Sequence, residues 1–358
     1  MKDRLDVLYA ADDGYAPFLG VSMYSLFKNN VDMEEIRVYA VLDNVSDANR
    51  EKLQQVAGCF NRELVLVGAE RFNEQLAKLG VPRYRGNYAT NYRLFFDAIV
   101  DEGVERLLYI DCDTAVCGSL RTVIECDFEE YPAAAVLDSL GSRYKHIVGF
   151  PPEVPYFNAG VLVIDVKNWK ERHVSEEILN HIKNVRSRYC NPDQDLLNIN
   201  LRGKVKILGP EYNFQPIHRA YPDKAYEKVY GFRNYYTPEQ VEHARRSPVI
   251  LHMYRFLGQF PWHRNNMHPD TAVFDEYLAL SPWADYRKQK TKCCSVSFKI
   301  ERFLYMILPK TWFLYFFAFM QEWSFRRQNE NLARGNAGSR EKECVLQPPG
   351  ISTENTGC

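Results

Sequence analysis

The chain has 358 residues, enough for one large domain or two ordinary ones. Its hydrophobic content of 46% and charged content of 25% are typical of a globular protein. A formal net charge of −1 gives no general attraction to nucleic acid, so we predict no nucleic-acid partner. Nine cysteines without a C-x-x-C pair argue against a disulfide framework. Charges within residues 1–6 interrupt the apolar stretch that a signal peptide needs, so a cytoplasmic protein is expected.

Apolar runs of strand length alternate with segments of helical spacing in the first third of the chain. Strands are expected at 5–11, 36–42 and 64–67, and helices at 17–27 and from an N-cap at Ser46 to residue 56. This alternation predicts parallel β-α-β units in an α/β sheet that is covered on both faces. Ligands of such sheets bind beyond the carboxyl ends of the strands.

The pattern continues less regularly after residue 80. Predicted here are a helix at 88–100, strands at 107–110, 133–137 and 161–164, a loop at 141–156, a helix from 165 to about Arg188, and a helix that opens near Pro192. Residues 205–248 show no pattern that assigns them to an element.

Two carboxylates, Asp111 and Asp113, directly follow the predicted strand at 107–110. Close carboxylates repel each other at neutral pH unless a cation or a shared proton lies between them. Oxygen ligands suit Mg²⁺ or Mn²⁺, and such a cation commonly bridges phosphates. The alternative is an Asp-rich turn, which is frequent after strands. Asp12 and Asp13 follow the first strand and would lie on the same rim of the sheet.

The composition changes after Trp283. Residues 286–310 contain seven Lys or Arg against one acidic residue, and aromatic residues continue to Phe319. Pro309 interrupts the apolar run, so neither half is long enough to span a bilayer. The pattern fits either a peripheral membrane segment, with residues 290–327 at the inner face of the membrane, or a helix pair packed on the domain. We therefore predict a domain at 1–284, a basic and aromatic helical extension at 285–327 and a disordered tail at 328–358.

Several blocks occur in a characteristic order: VLYAADDGY (7–15), NYRL (91–94), LYIDCD (108–113), YFNAGVLVI (156–164), PDQDLLN (192–198), and finally His252, Gly258 and Trp262. Together they resemble the retaining glycosyltransferases of family 8, the group of glycogenin and the lipopolysaccharide galactosyltransferases. A lone D-x-D is a weak signal, whereas the blocks in this order and spacing are a strong one. The resemblance covers roughly residues 5–283.

The resemblance implies a GT-A fold, a single Rossmann-like nucleotide-binding domain with a mostly parallel central sheet. It also implies a UDP-sugar donor, Mn²⁺ or Mg²⁺ as cofactor, and transfer of glucose or galactose with retention to a glycan or glycolipid acceptor. Such a transferase would serve the synthesis of cell-surface polysaccharide or lipopolysaccharide.

The family's residues transfer to matching positions of this chain. The metal ligands would be Asp111, Asp113 and His252. The uridine and ribose pocket would comprise Ala10, Ala11, Asp12, Gly14 and Tyr15. The donor hexose would be held by Arg93, Asp138, Asn158, Ala159, Gly160, Asp193 and Gln194, with Cys112 and Gly258 completing the donor-binding set.

Gln194, Asp195 and Asp193 are the predicted catalytic residues. Gln194 matches the position at the far face of the sugar, and an amide is a poor nucleophile. This favours front-face substitution, in which the departing phosphate oxygen takes the proton of the acceptor. Asp195 as a covalent nucleophile is the alternative.

The chain departs from the family pattern in the longer spacing between His252 and Gly258 and in Gly14, which replaces a more usual polar residue. It also departs at Phe260, which stands where a basic residue usually meets the diphosphate. Arg255, His263 and Arg264 are candidates for the missing cation. The departure keeps open a sugar-nucleotide-binding protein with weak or no catalysis. A metal-dependent phosphatase or nucleotidyltransferase is less favoured, because the sequence lacks a G-x-x-x-x-G-K-[ST] loop.

Overall fold

The computed structural model describes residues 4–81, 83, 87–139, 144–145, 149–151, 153–185, 192–221, 235–291 and 296–333. The strands are β1 Arg4–Asp12, β2 Glu35–Asp43, β3 Glu63–Gly68, β4 Arg106–Ile110, β5 Thr114–Val116, β6 Ala133–Leu137, β7 Phe157–Asp165, β8 Val205–Ile207 and β9 Ile250–His252. The α-helices are α1 Ala16–Lys28, α2 Asp47–Cys59, α3 Glu70–Lys78, α4 Arg121–Ile124, α5 Val166–Glu171, α6 Val174–Val185, α7 Pro192–Asn200, α8 Pro216–Ala220, α9 Pro238–Arg246, α10 Thr271–Leu280, α11 Val296–Ile307 and α12 Lys310–Ala333. Two 3-10 helices cover Ala89–Ala98 and Pro210–Asn213.

The central sheet has seven strands in the order β3-β2-β1-β4-β7-β6-β8. The pairs β1–β2, β2–β3, β1–β4 and β6–β8 are parallel, while β7 is antiparallel to β4 and β6. The predicted α/β class and mostly parallel sheet are confirmed. Because β7 runs against β4, the first residues of β7 lie at the edge where β4 ends. A separate two-stranded sheet pairs β5 with β9.

Both faces of the central sheet are buried, as the apolar strand sequences predict. Alternate residues of β1 enter different hydrophobic clusters: Val7 packs in one cluster and Leu8 in the other. The Ser46 cap of α2 is also confirmed, since its hydroxyl accepts a hydrogen bond from the N–H of Asn49.

Two predicted helices differ from the structure. The segment expected at 165–188 breaks at His173, which has a φ of 53°, and so forms α5 and α6; its predicted end at Arg188 lies outside the described residues. The segment expected at 88–100 is a 3-10 helix with a kink at Phe95. Long-range bonds hold this segment, because Tyr92 donates to Asp43 and Arg93 to Asp111. Tertiary anchors of this kind override local helix propensity.

The C-terminal helices pack on the domain through one face. A third hydrophobic cluster joins Phe313, Leu314 and Ala318 of α12 to residues including Tyr221 and Phe256 of the domain. The opposite face is exposed, as its side chains show: Val296, Ile300, Phe303, Met306, Ile307, Trp312, Tyr315, Phe316, Phe319 and Trp323. We call this set the outer face. Among the described residues, no helix is both long and apolar enough to cross a bilayer.

The last helix runs past residue 328, where the predicted tail begins. Helix α12 continues through Ala333, six residues into the segment 328–358, and the rest of that segment lies outside the described residues. The end of α12 is poor in apolar residues but rich in residues with good helix propensity. An i,i+4 pair between Arg326 and Glu322, at 2.8 Å, supports the helix just before residue 328.

Candidate active site

The end of β4 presents Asp111 at the rim of the sheet. Its N–H donates to the carbonyl oxygen of Gly160 at the start of β7 (2.8 Å). Its Oδ1 accepts hydrogen bonds from the guanidinium of Arg93 and the hydroxyl of Tyr109, both at 2.7 Å. Its Oδ2 lies 3.8 Å from Nε2 of His252. The protein therefore holds one carboxylate oxygen, and the other faces the imidazole.

Pairing of β5 with β9 brings Asp113 to His252. Thr114 lies opposite His252 in this sheet, and the N–H of Met253 donates to the carbonyl oxygen of Asp113 (2.6 Å). Nε2 of His252 is 3.3 Å from Oδ1 of Asp113. Ligand atoms of Asp111, Asp113 and His252 all lie within 4.8 Å of one another. The neighbouring carboxylates Asp111 and Asp113 thus meet His252, which lies far along the chain, at one point.

The chemistry of this trio fits a divalent cation. Burial lowers the pKa of His252, but the hydrogen bond with Asp113 and the charges of Asp113 and Asp111 outweigh it, so the pKa lies above its ordinary value. Two carboxylates and an imidazole lone pair at this distance repel one another unless a cation or proton joins them. A Cβ on Gly160 would lie 2.2 Å from Cε1 of His252 and 2.8 Å from Oδ2 of Asp111, so the glycine keeps this space open. The set of donors and the space between them suit Mn²⁺ or Mg²⁺.

Arg93 connects this trio to Asp193. Its guanidinium is 2% exposed and lies 3.3 Å from the carboxylate of Asp193, and it also donates to the carbonyl oxygen of Ala159. Burial alone would lower the pKa of Arg93, but the charges of Asp111, Tyr109 and Asp193 raise it above its ordinary value. Burial raises the pKa of Asp193, although the charge of Arg93 opposes this rise. Arg93 is therefore a permanent charge that two carboxylates share.

A hydrogen-bond network surrounds Gln194. Its Oε1 accepts from the N–H of Ala159 (3.0 Å), and its Nε2 donates to Asp138 (3.1 Å) and to the hydroxyl of Tyr156 (3.2 Å). Asn158 also donates to Asp138, at 2.7 Å. The structure thus brings four of the predicted hexose-binding residues into one network, and the amide of Gln194 is fixed in orientation.

Asp195 lies behind this network and is fully buried. Its carboxylate accepts hydrogen bonds from the hydroxyls of Tyr144 (2.9 Å) and Tyr156 (2.6 Å). These contacts make Asp195 a support for Tyr156 in the structure as it stands.

A cavity of about 370 Å³ opens beside the ends of β1 and β2. Its lining residues are Asp12, Asp13, Gly14, Asp43, Asn44, Asn73, Arg83, Asn87 and Tyr88. Asp12 is fixed there, since its carboxylate accepts from the N–H of Tyr15 (2.9 Å) and from the side chain of Asn87 (2.6 Å). Of the predicted uridine pocket, Asp12 and Gly14 line this cavity, while Ala10 and Ala11 precede them in β1. Tyr15 packs edge-on against Trp262, with ring centroids 6.1 Å apart.

The structure also defines the surroundings of the predicted residues Cys112 and Gly258, and of Phe260, which departs from the family pattern. Cys112 is buried, with its thiol donating to the carbonyl oxygen of Ala10 (3.1 Å), and burial raises its pKa. Gly258 has a φ of 74° and packs against Phe298 of α11, whose ring would lie 2.6 Å from an added Cβ. Phe260 stacks on Trp262 with centroids 4.5 Å apart, so its ring belongs to the core.

The candidates for a cation in place of Phe260 also have other partners. Arg255 lies over the ring of Phe298, 5.8 Å from its centroid, and Arg264 donates to the carbonyl oxygen of Lys288 (2.6 Å). Burial, with the charges of Arg255 and Arg302, lowers the pKa of His263 to about 4, so this imidazole is neutral at neutral pH. A basic side chain that does line the cavity is Arg83, which the sequence pattern did not single out.

Sequence reasoning also missed Asn213, whose Oδ1 lies 2.9 Å from Nδ1 of His252. It falls in the segment 205–248, where no periodic pattern was found. Asp43 and Asn73, which line the cavity, were missed as well, although Asp43 directly follows a predicted strand. Its position at the end of β2, paired with Asp12 at the end of β1, is the signal that could have identified it.

The α/β sheet thus has a carboxylate–histidine trio that suits a divalent cation, and a cavity beside it at the carboxyl edge. The sequence model of Glycosyl transferase family 8 matches residues 6–266. The chain belongs to this family and has the GT-A fold.

Relatives and solved structures agree with this membership. General stress protein A of Bacillus subtilis is 26% identical over 288 residues, covering 79% of this chain and 96% of that protein. Lipopolysaccharide 1,2-glucosyltransferase of Escherichia coli K12 is also 26% identical, covering 79% and 80%. The structure of LgtC with donor and acceptor sugar analogues is 26% identical with a TM-score of 0.58, covering 78% of this chain and 96% of LgtC.

Proposed function

We propose that this protein is a retaining hexosyltransferase that moves glucose or galactose from a UDP-sugar to a hydroxyl of a glycan or glycolipid. The observation that carries the proposal is the convergence of Asp111, Asp113 and His252 within 4.8 Å, beside the Gln194 network, in a chain of family 8. The names of the relatives, which include a lipopolysaccharide 1,2-glucosyltransferase and a 1,3-galactosyltransferase, support a hexose donor and cell-surface glycan synthesis.

The donor would lie across the carboxyl edge of the sheet. The cavity beside Asp12 and Gly14 would take the nucleoside, and Arg83 would face its phosphates. Asp111, Asp113 and His252 would hold Mn²⁺ or Mg²⁺. When bound, such a cation neutralises charge on the diphosphate and so stabilises the leaving group.

The hexose would be held by the network around Gln194. Asp193 and Asp138 offer carboxylate acceptors for sugar hydroxyls, and the buried charge of Arg93 keeps Asp193 in place. The bond between the anomeric carbon and the phosphate oxygen breaks, and a bond to the acceptor oxygen forms on the same face. The proton of the acceptor passes to the departing phosphate oxygen, and UDP leaves. Asp195 is enclosed by Tyr144 and Tyr156, and the amide of Gln194 on the opposite face of the sugar is a poor nucleophile. Neither side chain would therefore compete with the acceptor.

The outer face of α11 and α12 supports a peripheral position on a membrane. It places two tryptophans and three phenylalanines in solvent, and Arg326 and Arg327 stand at its end. Trp312, Phe319 and Trp323 fall on one side of α12, while the buried Phe313 and Leu314 fall on the other. Aromatic residues beside basic ones suit the interface of an anionic bilayer. A lipid-linked acceptor would be reached from that surface.

The second candidate function is sugar-nucleotide binding with weak catalysis. It rests on Phe260, whose ring is in the core and leaves its position without a cation toward the diphosphate. One experiment separates the two. UDP-glucose, UDP-galactose and their N-acetyl derivatives are incubated with the protein and Mn²⁺, and the release of UDP is measured. Release that depends on Mn²⁺, with an α-configured sugar product by NMR, supports the transferase. Binding without release supports the alternative.

A further inference from the structure

Asn213, at the end of the 3-10 helix Pro210–Asn213, lies behind the imidazole of His252. It is 1% exposed, so its amide groups are satisfied within the protein. The amide contacts Nδ1 of His252 at 2.9 Å and Oδ1 of Asn158 at 2.9 Å. The direction in which this amide faces decides which nitrogen of His252 carries a proton.

The orientation of Asn158 is fixed from both ends. Its Oδ1 is 2.9 Å from the backbone nitrogen of Gly160, which can only donate. Its Nδ2 is 2.7 Å from a carboxylate oxygen of Asp138, which accepts. If the amide of Asn158 were rotated by 180°, its NH₂ group would face the N–H of Gly160 and its oxygen would face the carboxylate of Asp138. Asn158 therefore presents an oxygen to Asn213.

This fixes Asn213 in turn. Because Asn158 presents an oxygen, Asn213 must direct its NH₂ group there and its Oδ1 to His252. An oxygen at 2.9 Å from Nδ1 requires a hydrogen on Nδ1. The neutral imidazole then has its lone pair on Nε2, the nitrogen that faces Asp111 and Asp113.

We propose that Asn213 is a positioning residue that fixes the metal-binding tautomer of His252, at the end of a chain of hydrogen bonds that starts at the backbone of Gly160. The same chain reaches Gln194 through Asp138, so the metal ligand and the hexose network share one rigid support. The inference rests on the proposed function only in taking a divalent cation as the ligand of Nε2.

The first test needs no variant. Selective ¹⁵N-histidine labelling of the full chain, with His252→Gln to assign the signal, reports the tautomer in the metal-free protein at a pH high enough for the ¹⁵N shifts to show a neutral imidazole. The expected result is a proton on Nδ1 and a lone pair on Nε2. A proton on Nε2 would overturn the proposal.

The second test measures the affinity for Mn²⁺ by electron paramagnetic resonance. Asn213→Leu removes the acceptor and should weaken binding about 10- to 100-fold, the usual effect of losing a partner behind a metal ligand. Asn213→Asp keeps an acceptor and should bind about tenfold tighter than Asn213→Leu. Asn30→Leu removes an equally buried amide elsewhere and should leave the affinity unchanged. Unchanged affinity in a folded Asn213→Leu protein would contradict the proposal.

These outcomes can be distinguished from those of the UDP-release experiment that tests the proposed function. A protein with Nδ1 protonated that releases no UDP would refute the transferase and leave the role of Asn213 intact. If Asn213→Leu fails to fold, the tautomer of the unaltered protein still decides the question.

Discussion

Gly160 and His252 lie so close that a methyl group on the glycine would be 2.2 Å from Cε1 of the imidazole. The backbone of β7 thus forms one wall of the proposed metal site, and no larger residue fits there without moving a ligand. We expect Gly160→Ala to weaken Mn²⁺ binding at least tenfold, because His252 or Asp111 must shift by more than a metal–ligand bond tolerates. Gly58→Ala is the control, since a Cβ at Gly58 meets nothing within 4 Å. Equal affinities in the two variants would remove Gly160 from the site.

The C-terminal extension is predicted to be part of the folded domain. Phe313 is fully buried, and its ring stacks on that of Tyr221 of the domain, with centroids 6.5 Å apart. Phe313→Ala should lower the free energy of unfolding by about 3–5 kcal/mol, as loss of a buried Phe does. Phe319→Ala on the outer face, where the residue is 62% exposed, should change it by less than about 0.5 kcal/mol. Urea unfolding of the two variants measures the difference, and similar values would show that α12 does not pack on the domain.

Binding to membranes is predicted to depend on the outer face. Trp312→Ser combined with Phe319→Ser should reduce sedimentation with phosphatidylglycerol vesicles more than tenfold, because each side chain contributes about 1.5–3 kcal/mol when it leaves water. Val31→Ser, which alters an exposed apolar residue of the domain, should have no effect. Substitution is a more specific test than removal of α11 and α12, because removal would expose Tyr221 and Phe256 and create a new apolar surface. Sedimentation that is equal in all three proteins would contradict a membrane role.

Stability is predicted to fall at acid pH because of buried neutral histidines. Burial lowers the pKa of His268 to about 3, although its hydrogen bond to the carbonyl oxygen of Tyr254 opposes this shift; its Nδ1 accepts from the N–H of Asp270. In the unfolded chain the pKa is about 6.5, so the unfolded state binds the proton first. The stability from keeping this imidazole neutral is complete above about pH 6.5. It is lost as pH falls toward 3, at about 1.4 kcal/mol per pH unit.

The variant His268→Gln can keep both hydrogen bonds and removes the titration. Between about pH 5.5 and 4.5 the unfolding free energy of His268→Gln should fall less steeply than that of the unaltered protein. The difference between the two slopes should be about 1.4 kcal/mol per pH unit. The exposed His173→Gln is the control. Identical slopes in His268→Gln and His173→Gln would show that His268 is not held neutral by the fold.

Much of the site follows from local sequence, because polar residues after buried strands meet at one edge of a parallel sheet. Asp12 at the end of β1 and Asp111 just after β4 could be placed together on this ground. The position of His252 beside Asp113 could not be predicted in this way, because it depends on the short pairing of β5 with β9, two segments that are distant in the sequence. The family resemblance supplied that residue, and periodicity did not.

The remaining differences have the same origin in long-range contacts. The ring of Phe260 could not be assigned to the core from the sequence, because its stacking partner Trp262 is set by the turn between them. The sequence also could not decide whether the C-terminal extension binds a membrane or packs on the domain. Its apolar residues lie on opposite faces of one helix, and only the packing of Phe313 and Leu314 shows which face the domain covers.

The most direct test of the account is the rate of UDP release from UDP-glucose and UDP-galactose in the presence of Mn²⁺. Asp111→Asn and Asp113→Asn each remove one charge from the proposed metal site, and Asp97→Asn alters an exposed carboxylate of the neighbouring 3-10 helix. The account predicts that the unaltered protein and Asp97→Asn release UDP and that EDTA abolishes this release. In Asp111→Asn and Asp113→Asn the rate should fall by at least about 100-fold, because each variant loses several kcal/mol of transition-state stabilisation. Equal rates in all four proteins, or no release from any UDP-hexose by the unaltered protein, would contradict it.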